Sequence, residues 1–514
     1  MSASESALVL APPFLLVLGG IVSILFKERK GMAASSSLFF LAALISNTWL
    51  LLSVGEGAFF YPSTAGIIVN AASAFIIEVV LVLGLLGVIY SFRYFEEERI
   101  LRPFFLIFSF FIATLVLMAA SFNILVMYIA FEASTIAGGV LILFTRRRSA
   151  TRAAVRFFIL SALGAVIILA GILYQNTITG FVLTRGAFLG LPNDDLVILA
   201  SLYAVGFGIK VGIFPFGLLW LPAAHSEAPT PVSAILSGIM VQVAAFAAAR
   251  IIGVISPVSW VLALTLVGLG ALSVIVGSIL AAVEATLGSR YSRFHVGSVN
   301  IRGIKRVWAF STSSEVGVFY ILIGLALLSP SLFPLFLAGV LLHFLNHGLA
   351  KALLFFDSGF VIETSRIADL SLLKGLGGRL GINGFTYLIG GLSLSLFPGT
   401  LGYNTLLEFT RGHIGSGVAA VVVAGAILIF FTTIYSLRTI IWGRPKARVE
   451  YLKEERAHSL LRIPGVFLAS CILVLGVIVL LGSSGVALQA YYHGLEEWFS
   501  LAARTIVEPW VVGL

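Results

Sequence analysis

Residues 209–242 read IKVGIFPFGLLWLPAAHSEAPTPVSAILSGIMVQ, and this stretch decides how the chain is organised. Lys210 lies inside an apolar run, and Pro215 follows five residues later. Proline removes a backbone N–H and clashes with the preceding helical turn, so we expect the helix to break here. Inside a membrane, a broken helix is tolerated where it is buried in protein or lines water. The stretch therefore predicts a polar, hydratable position around Lys210.

Apolar runs cover most of the chain. Of the 514 residues, 59% are hydrophobic and 11% are charged, whereas soluble domains carry roughly 25% charged residues. About 20 apolar residues are needed to cross a hydrocarbon core of ~30 Å. The sequence therefore predicts an all-α polytopic membrane protein with about 14 transmembrane helices. The runs are 7–26, 35–54, 66–91, 103–119, 123–145, 154–175, 196–221, 229–255, 259–285, 306–328, 331–361, 381–404, 415–440 and 463–483.

The basic residues fall mostly on one side of this layout. Loops after odd-numbered predicted spans hold 26 of the 32 lysines and arginines, and the other loops hold four. Because basic residues accumulate in cytoplasmic loops, both termini are predicted to lie outside a cell membrane. The formal charge of +9 sits in these short loop clusters, so no nucleic-acid partner is expected.

No stretch is suited to a soluble domain. The longest internal loop, about 286–305, is too short to bury a core of its own. We therefore expect no nucleotide, flavin or iron–sulfur cofactor. The single cysteine, Cys471, excludes a disulfide framework and a cysteine-based metal site within the chain. The tail, 484–514, mixes aromatic, apolar and charged residues and is predicted to be an amphipathic segment.

Ionisable residues inside apolar runs are the candidate functional groups. A charge at the bilayer centre costs roughly 2.5–3.5 kcal/mol on insertion scales, so each one needs a compensating partner or a function. Glu132, in MYIAFEASTIAG, is the expected partner of Lys210. A carboxylate that is near in one state and distant in another would switch the proton affinity of a buried lysine. The alternative is a static ion pair that holds helices together.

A second group occurs on one predicted span, where His343, His347 and Lys351 are spaced four residues apart. Residues at this spacing share one helix face, about 6 Å apart per step, which suits proton transfer through water. A zinc site is one alternative, but no further ligand pattern accompanies the two histidines. Hydrogen bonding of the histidines to neighbouring helices is the other alternative.

Further carboxylates are weaker candidates. Glu315 lies among hydroxyl residues in AFSTSSEVGVFY, which could hydrate it. Asp357 lies nearer the end of its span and is expected to approach the loop. Glu78 and Glu284 have no partner that the sequence identifies.

Stretches in the same order along the chain resemble a known family. Residues 209–242, above all HSEAPTPVSA, resemble the signature of antiporter-like membrane subunits. These subunits occur in respiratory complex I, in membrane-bound hydrogenases and related archaeal complexes, and in multi-subunit cation/proton antiporters. The resemblance covers roughly 100–410. The other stretches that carry it are NILVMYIAFEAS, AAVRFFILSALGAVIILAGILY, KRVWAFSTSSEVG and HGLAKALLFFDSGFVI.

The resemblance implies a fold of two inverted five-helix repeats, formed by predicted spans 4–8 and 9–13, each with a broken helix. Lys210 and Pro215 mark the first break, and Pro398 with Gly402 marks the second. The implied regions are 1–100 with spans 1–3, 101–257 with the first repeat, 258–440 with the second repeat, and 441–514 with the last span and the tail.

The resemblance also implies which residues form a proton path. Glu132 and Lys210 match the family's glutamate–lysine pair, and His347 and Lys351 match its central histidine and lysine. The full predicted path consists of Glu132, Lys210, His225, Gln242, Glu315, His343, His347, Lys351 and Glu408.

Two positions depart from the family pattern. The family has a lysine where this chain has Gln242, which cannot titrate. In GYNTLLEF, Leu406 takes the place of the family's lysine or glutamate, and Glu408 follows two residues later. Water and a neutral amide can still bridge at Gln242, whereas loss of the exit residue could stop conduction.

Three functions are therefore compared. The first is a proton-translocating subunit of a redox-driven pump, which itself carries no redox site and works with other membrane and peripheral subunits. The second is a subunit of a multi-subunit Na+/H+ antiporter. The third is a non-conducting structural paralogue within such a complex, a reading that Gln242 and Leu406 favour.

Overall fold

Almost all of the described chain is helical. The computed structural model describes residues 8–55, 58–60, 66–255, 260–287, 303–370, 372–411, 416–442, 459–483 and 489–507. The elements up to the first break are α1 (Ala11–Leu25), α2 (Arg29–Val54), β1 (Ala58–Phe60), β2 (Ile68–Asn70), α3 (Ala71–Tyr94), α4 (Glu98–Ala120), α5 (Ile124–Ile142), α6 (Arg148–Ile178), α7 (Arg185–Phe188) and α8 (Asn193–Val211). Strands β1 and β2 pair antiparallel and form a two-stranded sheet.

The elements after the first break begin with α9 (Gly217–Glu227) and α10 (Thr230–Ile235). A π-helical turn, Leu236–Met240, leads into α11 (Val241–Ile255). The remaining helices are α12 (Trp260–Leu287), α13 (Ile304–Leu328), α14 (Phe333–Ser365), α15 (Gly377–Leu380), α16 (Ile382–Leu394), α17 (Tyr403–Arg411), α18 (Ser416–Ile441), α19 (Ser459–Ser483) and α20 (Gln489–Val507).

The helices are membrane-spanning in length and composition. Within the described residues, eleven helices are long and apolar enough to cross a bilayer, and α1 and α16 are shorter apolar helices. Many of their outward side chains are large and apolar, for example Leu52 at 81% exposed and Phe431 at 63% exposed. A mainly helical, multi-pass membrane protein is confirmed. The count of fourteen spans, the repeat boundaries and the external termini stay predictions.

The first helix interruption lies between α8 and α9. Gly212 has φ = 86°, a left-handed conformation that side-chain-bearing residues rarely adopt, and the chain is non-helical up to Phe216. A neighbouring helix supplies polar atoms to the opened backbone, because the Phe214 N–H donates to Ser273 Oγ at 3.0 Å. The Trp220 indole N–H donates to the Ile209 carbonyl at 3.2 Å. These contacts satisfy backbone groups that a lipid environment would leave unpaired.

A second interruption lies between α16 and α17. Helix α16 ends at Leu394, α17 begins at Tyr403, and Gly399 between them has φ = 85°. Ser393 connects the two sides, because its hydroxyl donates to Asn346 Oδ1 at 2.6 Å and accepts from the Gly402 N–H at 3.3 Å. Asn346 belongs to α14, so this long helix supports the second interruption from outside it.

Helix α20, in the tail, packs on the beginning of α3. The Asn70 amide, which caps α3, donates to the Thr505 carbonyl at 2.7 Å, and the Ala72 N–H donates to the Thr505 hydroxyl at 3.1 Å. The rings of Trp498 and Phe499 lie 5.4 and 5.3 Å from the ring of Phe75. The tail helix is therefore part of the packed structure.

Arg250 joins three segments beside this tail contact. It is fully buried, and its Nη1 donates to the carbonyls of Ala119 and Ser121 at 2.9 Å each. Its Nε donates to the Ile506 carbonyl at 3.2 Å, and its guanidinium lies 4.0 Å from the Phe122 ring centroid. Carbonyl dipoles and an aromatic face thus take the place of water around the positive charge.

The substitution Arg250→Met is expected to destabilise the chain by on the order of 3 kcal/mol, because it leaves three buried carbonyls without their charged donor. Thermal unfolding in detergent measures this loss. The control is Arg504→Met, since Arg504 is exposed on the tail helix. Equal unfolding temperatures for the two variants would contradict the anchoring role of Arg250.

Candidate functional site

Lys210 lies in the last turn of α8, immediately before the first interruption. It is 4% exposed, and its Nζ forms an ion pair with Glu132 of α5. The same Nζ lies 3.3 Å from Thr135 Oγ1 and 4.1 Å from the Phe131 ring centroid. The Glu132 side chain is 28% exposed, so the pair extends from a buried ammonium to a half-buried carboxylate. The expected contact between Glu132 and Lys210 is present.

Gly164 of α6 allows α8, which carries Lys210, to pack closely against α6. A Cβ at Gly164 would lie 2.8 Å from the Gly206 carbonyl oxygen and 2.8 Å from Lys210 Cγ. The two helices therefore approach backbone to backbone beside the lysine. Any larger side chain at Gly164 must displace α8 or the stem of Lys210.

The substitution Gly164→Val is expected to cost about 1–3 kcal/mol through overpacking and to weaken coupled ion transport, because it displaces Lys210 relative to Glu132. Thermal unfolding and transport by the reconstituted native assembly are the two measurements. Gly268→Val is the matched control, since a Cβ at Gly268 meets nothing within 4 Å. Wild-type values for Gly164→Val would refute the close-packing argument.

Gln242 follows the π-helical turn. It is fully buried, and its amide nitrogen donates to the Gly238 carbonyl one turn earlier. Its amide oxygen is buried and has no hydrogen-bond partner among the described residues. The turn itself contacts the second half of the chain, because Ser237 Oγ lies 2.8 Å from Thr312 Oγ1.

His225 lies near the end of α9 and is almost fully buried. Neither ring nitrogen has a hydrogen-bond partner within the described part of the chain. Its ring centroid lies 6.0 Å from that of Trp220 and 6.1 Å from that of Phe355. Lys351 and Lys305 are near enough to interact with it electrostatically. His225 is thus a buried polar group with two lysines in its electrostatic surroundings.

Lys351 is fully buried near the middle of α14. Its Nζ donates to the Trp308 carbonyl at 2.9 Å and to the Ser311 hydroxyl, both on α13. The contacts are neutral oxygens, so the ammonium charge is solvated by dipoles. Glu315, one turn beyond Ser311, is the carboxylate that interacts with this lysine electrostatically.

Glu315 and His343 form a pair in the same region. His343 Nε2 lies 3.6 Å from Glu315 Oε2 and 3.1 Å from the Glu315 carbonyl oxygen. Its Nδ1 lies 3.4 Å from Thr405 Oγ1 at the start of α17, so the pair reaches the second interruption. The His347 ring centroid is 6.0 Å from that of His343, and its two nitrogens have no partner in the described residues.

The predicted exit region is described in part. Leu406 is half-buried in α17 and lines a small cavity with Leu396 and Phe397. The Glu408 backbone belongs to α17, but its side chain lies outside the described residues. Within the described chain, no cluster of three or more His, Cys, Asp or Glu side chains is placed to hold a metal ion.

Two buried polar groups near the site lie outside the proton path that the sequence predicts. Lys305 lies at the end of the predicted loop 286–305, but it is 5% exposed and donates to the Ala228 carbonyl at 2.8 Å and to Ser233 Oγ at 3.1 Å. Glu227, which is 3% exposed, accepts from Ser149 Oγ at 2.8 Å. The sequence signal for these two groups is their position. The tripeptides KRV (305–307) and HSE (225–227) each place charged residues at the edge of an apolar run.

The weaker carboxylate candidates all have polar neighbours. Glu78 accepts from Asn47 at 2.8 Å and from Thr48 at 2.6 Å, and Glu284 lies 3.7 Å from the Arg306 guanidinium. The expectation that Asp357 approaches a loop is wrong, because its side chain is 1% exposed within a helix contact. Sequence spacing did not identify these partners, since each lies on another helix.

Comparison with known proteins assigns the family. The family described as NADH:quinone oxidoreductase/Mrp antiporter, TM, matches residues 121–289 and 295–432. The chain belongs to this family. NADH-quinone oxidoreductase subunit N of Desulforudis audaxviator is 30% identical over 433 residues, which cover 81% of each chain. The resemblance inferred from the sequence motifs is confirmed.

Two solved structures share the fold at lower identity. A chain of the membrane-bound sulfane sulfur reductase, an archaeal respiratory membrane complex, superimposes with a TM-score of 0.80 at 19% identity and covers 99% of this chain and 98% of its own. A chain of the Mrp complex from Dietzia sp. DQ12-45-1b gives 0.79 at 17% identity with the same coverage. Both belong to multi-subunit membrane complexes, so the fold alone does not separate the redox and antiporter classes.

Proposed function

We propose that this chain is a proton-translocating, antiporter-like subunit of a redox-driven ion pump in a cell membrane. The observation that carries the proposal is the buried Lys210, paired with Glu132 beside an interrupted helix. A fully buried ammonium in a membrane protein is costly and marks an ion pathway by default. A second buried lysine, Lys351, is solvated by neutral oxygens of α13 and has Glu315 in its electrostatic surroundings.

The pair at Lys210 suits a switch. While Glu132 is in contact, the protonated lysine is stabilised, and when the carboxylate moves away the lysine releases its proton more readily. The partial exposure of Glu132 supports this, because a carboxylate at the protein edge can respond to a neighbouring subunit. The proton would pass from Lys210 toward the group around Lys351.

Unpaired buried atoms support a hydrated connection between the two lysines. The ring nitrogens of His225 and His347 and the amide oxygen of Gln242 lack protein partners in the described residues. Buried polar atoms of this kind usually bind ordered water, which can carry protons between titratable side chains. In this role Gln242 acts as a neutral bridge, and His225, His343, His347 and Glu315 flank the route to Lys351 and, at the far side, Glu408.

The finer architecture belongs to the same proposal. Fourteen spans, with the regions 101–257 and 258–440 as inverted repeats, would place the two interruptions near the bilayer midplane. External termini would follow from the distribution of basic loops. The interrupted segments 212–216 and 395–402 support this arrangement, because each follows an apolar helix and faces buried polar groups.

The redox-driven class is preferred over a Na+/H+ antiporter because subunit N, a component of an NADH-quinone oxidoreductase, aligns over 81% of both chains. The Mrp chain has nearly the same TM-score as the sulfane sulfur reductase chain, 0.79 against 0.80. The antiporter therefore remains the alternative, with sodium as the second ion. The partners would be the membrane and peripheral subunits of such a complex, embedded in the lipid bilayer.

The distinguishing experiment is purification of the native assembly through a tag on this chain, followed by identification of the co-purifying polypeptides by mass spectrometry. Cluster-binding or dehydrogenase-like subunits are expected. Recovery of small membrane proteins without redox subunits would transfer the chain to the antiporter class, and recovery of the chain alone would refute its role as a subunit.

The substitution Lys210→Met is expected to abolish coupled proton transport, because methionine has a similar length but cannot bind the proton. Proton uptake into vesicles containing the native assembly is the measurement. Lys374→Met, in the segment after α14, is the control and should transport normally. Undiminished transport by Lys210→Met would favour the non-conducting structural role.

A further inference from the structure

Asp357 is a buried carboxylate that the proposed path does not use. It lies on α14, six residues after Lys351, and is 1% exposed. Whereas Lys351 faces α13, the Asp357 carboxylate faces α16, the helix before the second interruption. The Asn383 amide donates to its Oδ1 at 2.7 Å, and the Thr386 hydroxyl donates to its Oδ2 at 2.7 Å.

Among the described residues, no lysine or arginine forms an ion pair with Asp357. On α19, Gly465 faces the carboxylate so closely that a Cβ there would lie 2.8 Å from Oδ1. Arg462, one turn away on α19, instead places its guanidinium 5.1 Å from the Phe360 ring centroid. Tyr90 of α3 and Tyr387 of α16 are titratable groups near Asp357, and their phenols carry no charge at physiological pH.

The ion pairs of the described residues do not include Asp357. Two neutral donors occupy two of the roughly four acceptor positions of a carboxylate and leave a full negative charge in an apolar surrounding, which is far costlier than a neutral acid. A carboxylate in this position is therefore expected to hold either a proton or a cation. The Thr386 hydroxyl can accept a hydrogen bond as well as donate one, so the proton is the species that these partners accommodate.

The partners can serve both protonation states. Thr386 Oγ1 lies 2.7 Å from Asp357 Oδ2 and 3.2 Å from the Asn383 carbonyl oxygen. When Asp357 is ionised, the hydroxyl donates to it. When Asp357 is protonated, its O–H donates to Thr386 Oγ1, and the Thr386 hydroxyl turns to donate to the Asn383 carbonyl. An arginine or lysine partner could not reverse its role in this way.

We propose that Asp357 is an additional proton-binding site, protonated at rest, which exchanges its proton with the membrane face at the C-terminal end of α14. That end, at Ser365, lies eight residues away, a rise of about 12 Å along the helix. Protonation at rest follows from burial without an ion-pair partner among the described residues, together with the Thr386 hydroxyl that can accept from the acid. Exchange during transport rests on the proposed function.

Infrared difference spectroscopy of the native assembly tests the first part. The wild type minus Asp357→Asn spectrum is expected to contain the C=O stretch of a protonated carboxylic acid, shifted in D2O. Glu363→Gln is the control on the same helix, because Glu363 is ion-paired with Arg366 at 2.8 Å and should contribute no such band. A difference spectrum without the band would overturn the proposal.

Proton transport tests the second part, with Asp357→Glu as the titratable variant and Asp357→Asn as the variant that cannot titrate. Loss of coupled transport in Asp357→Asn with recovery in Asp357→Glu supports exchange. Normal transport in Asp357→Asn refutes exchange even if the infrared band is present. Because the band is measured without turnover, failure of the Lys210→Met test would leave the protonation result intact, so the two proposals can fail separately.

Discussion

A polar group buried inside a membrane needs a partner in the protein or an ordered water, and this requirement determines the arrangement around Lys210. The ammonium is compensated by Glu132 and by the face of Phe131, and the opened backbone after it is bound by Ser273. Removing one of these groups leaves a buried charge or backbone polar atom without a partner in a low-dielectric surrounding. The interruption of the helix, the buried lysine and the glycine contact at Gly164 are therefore interdependent features of one site.

Helix α14 distributes polar groups to two neighbours at once. One face brings Lys351 and His343 to α13, and another brings Asn346 and Asp357 to α16. Between these polar ends on the α16 side, Gly390 packs tightly against Leu353 and Leu354. On the α16 side, an apolar contact thus separates the two polar regions of the long helix.

The sequence predicted the features that depend on local composition. Apolar length gave the helices, Pro215 indicated the first interruption, and the isolated charges of Lys210 and Glu132 suggested their contact. It could not predict pairs that depend on how helices cross, such as Glu315 with His343 or Asp357 with Asn383. The distribution of charges among loops also predicts Lys305 as a solvent-facing cation, whereas its side chain folds inward onto the Ala228 carbonyl.

Conversion of the π-helical turn at Leu236–Met240 to an α-helical turn would change the register of the helix that follows it. A π turn holds about one residue more than an α turn, so its conversion would rotate the following helix by ~100° and advance it by ~1.5 Å, in the manner of a screw. Gln242 stands directly after this turn, and Ser237 within it contacts Thr312 in the other half of the chain. A movement between the halves of the molecule would therefore act on the direction in which Gln242 points.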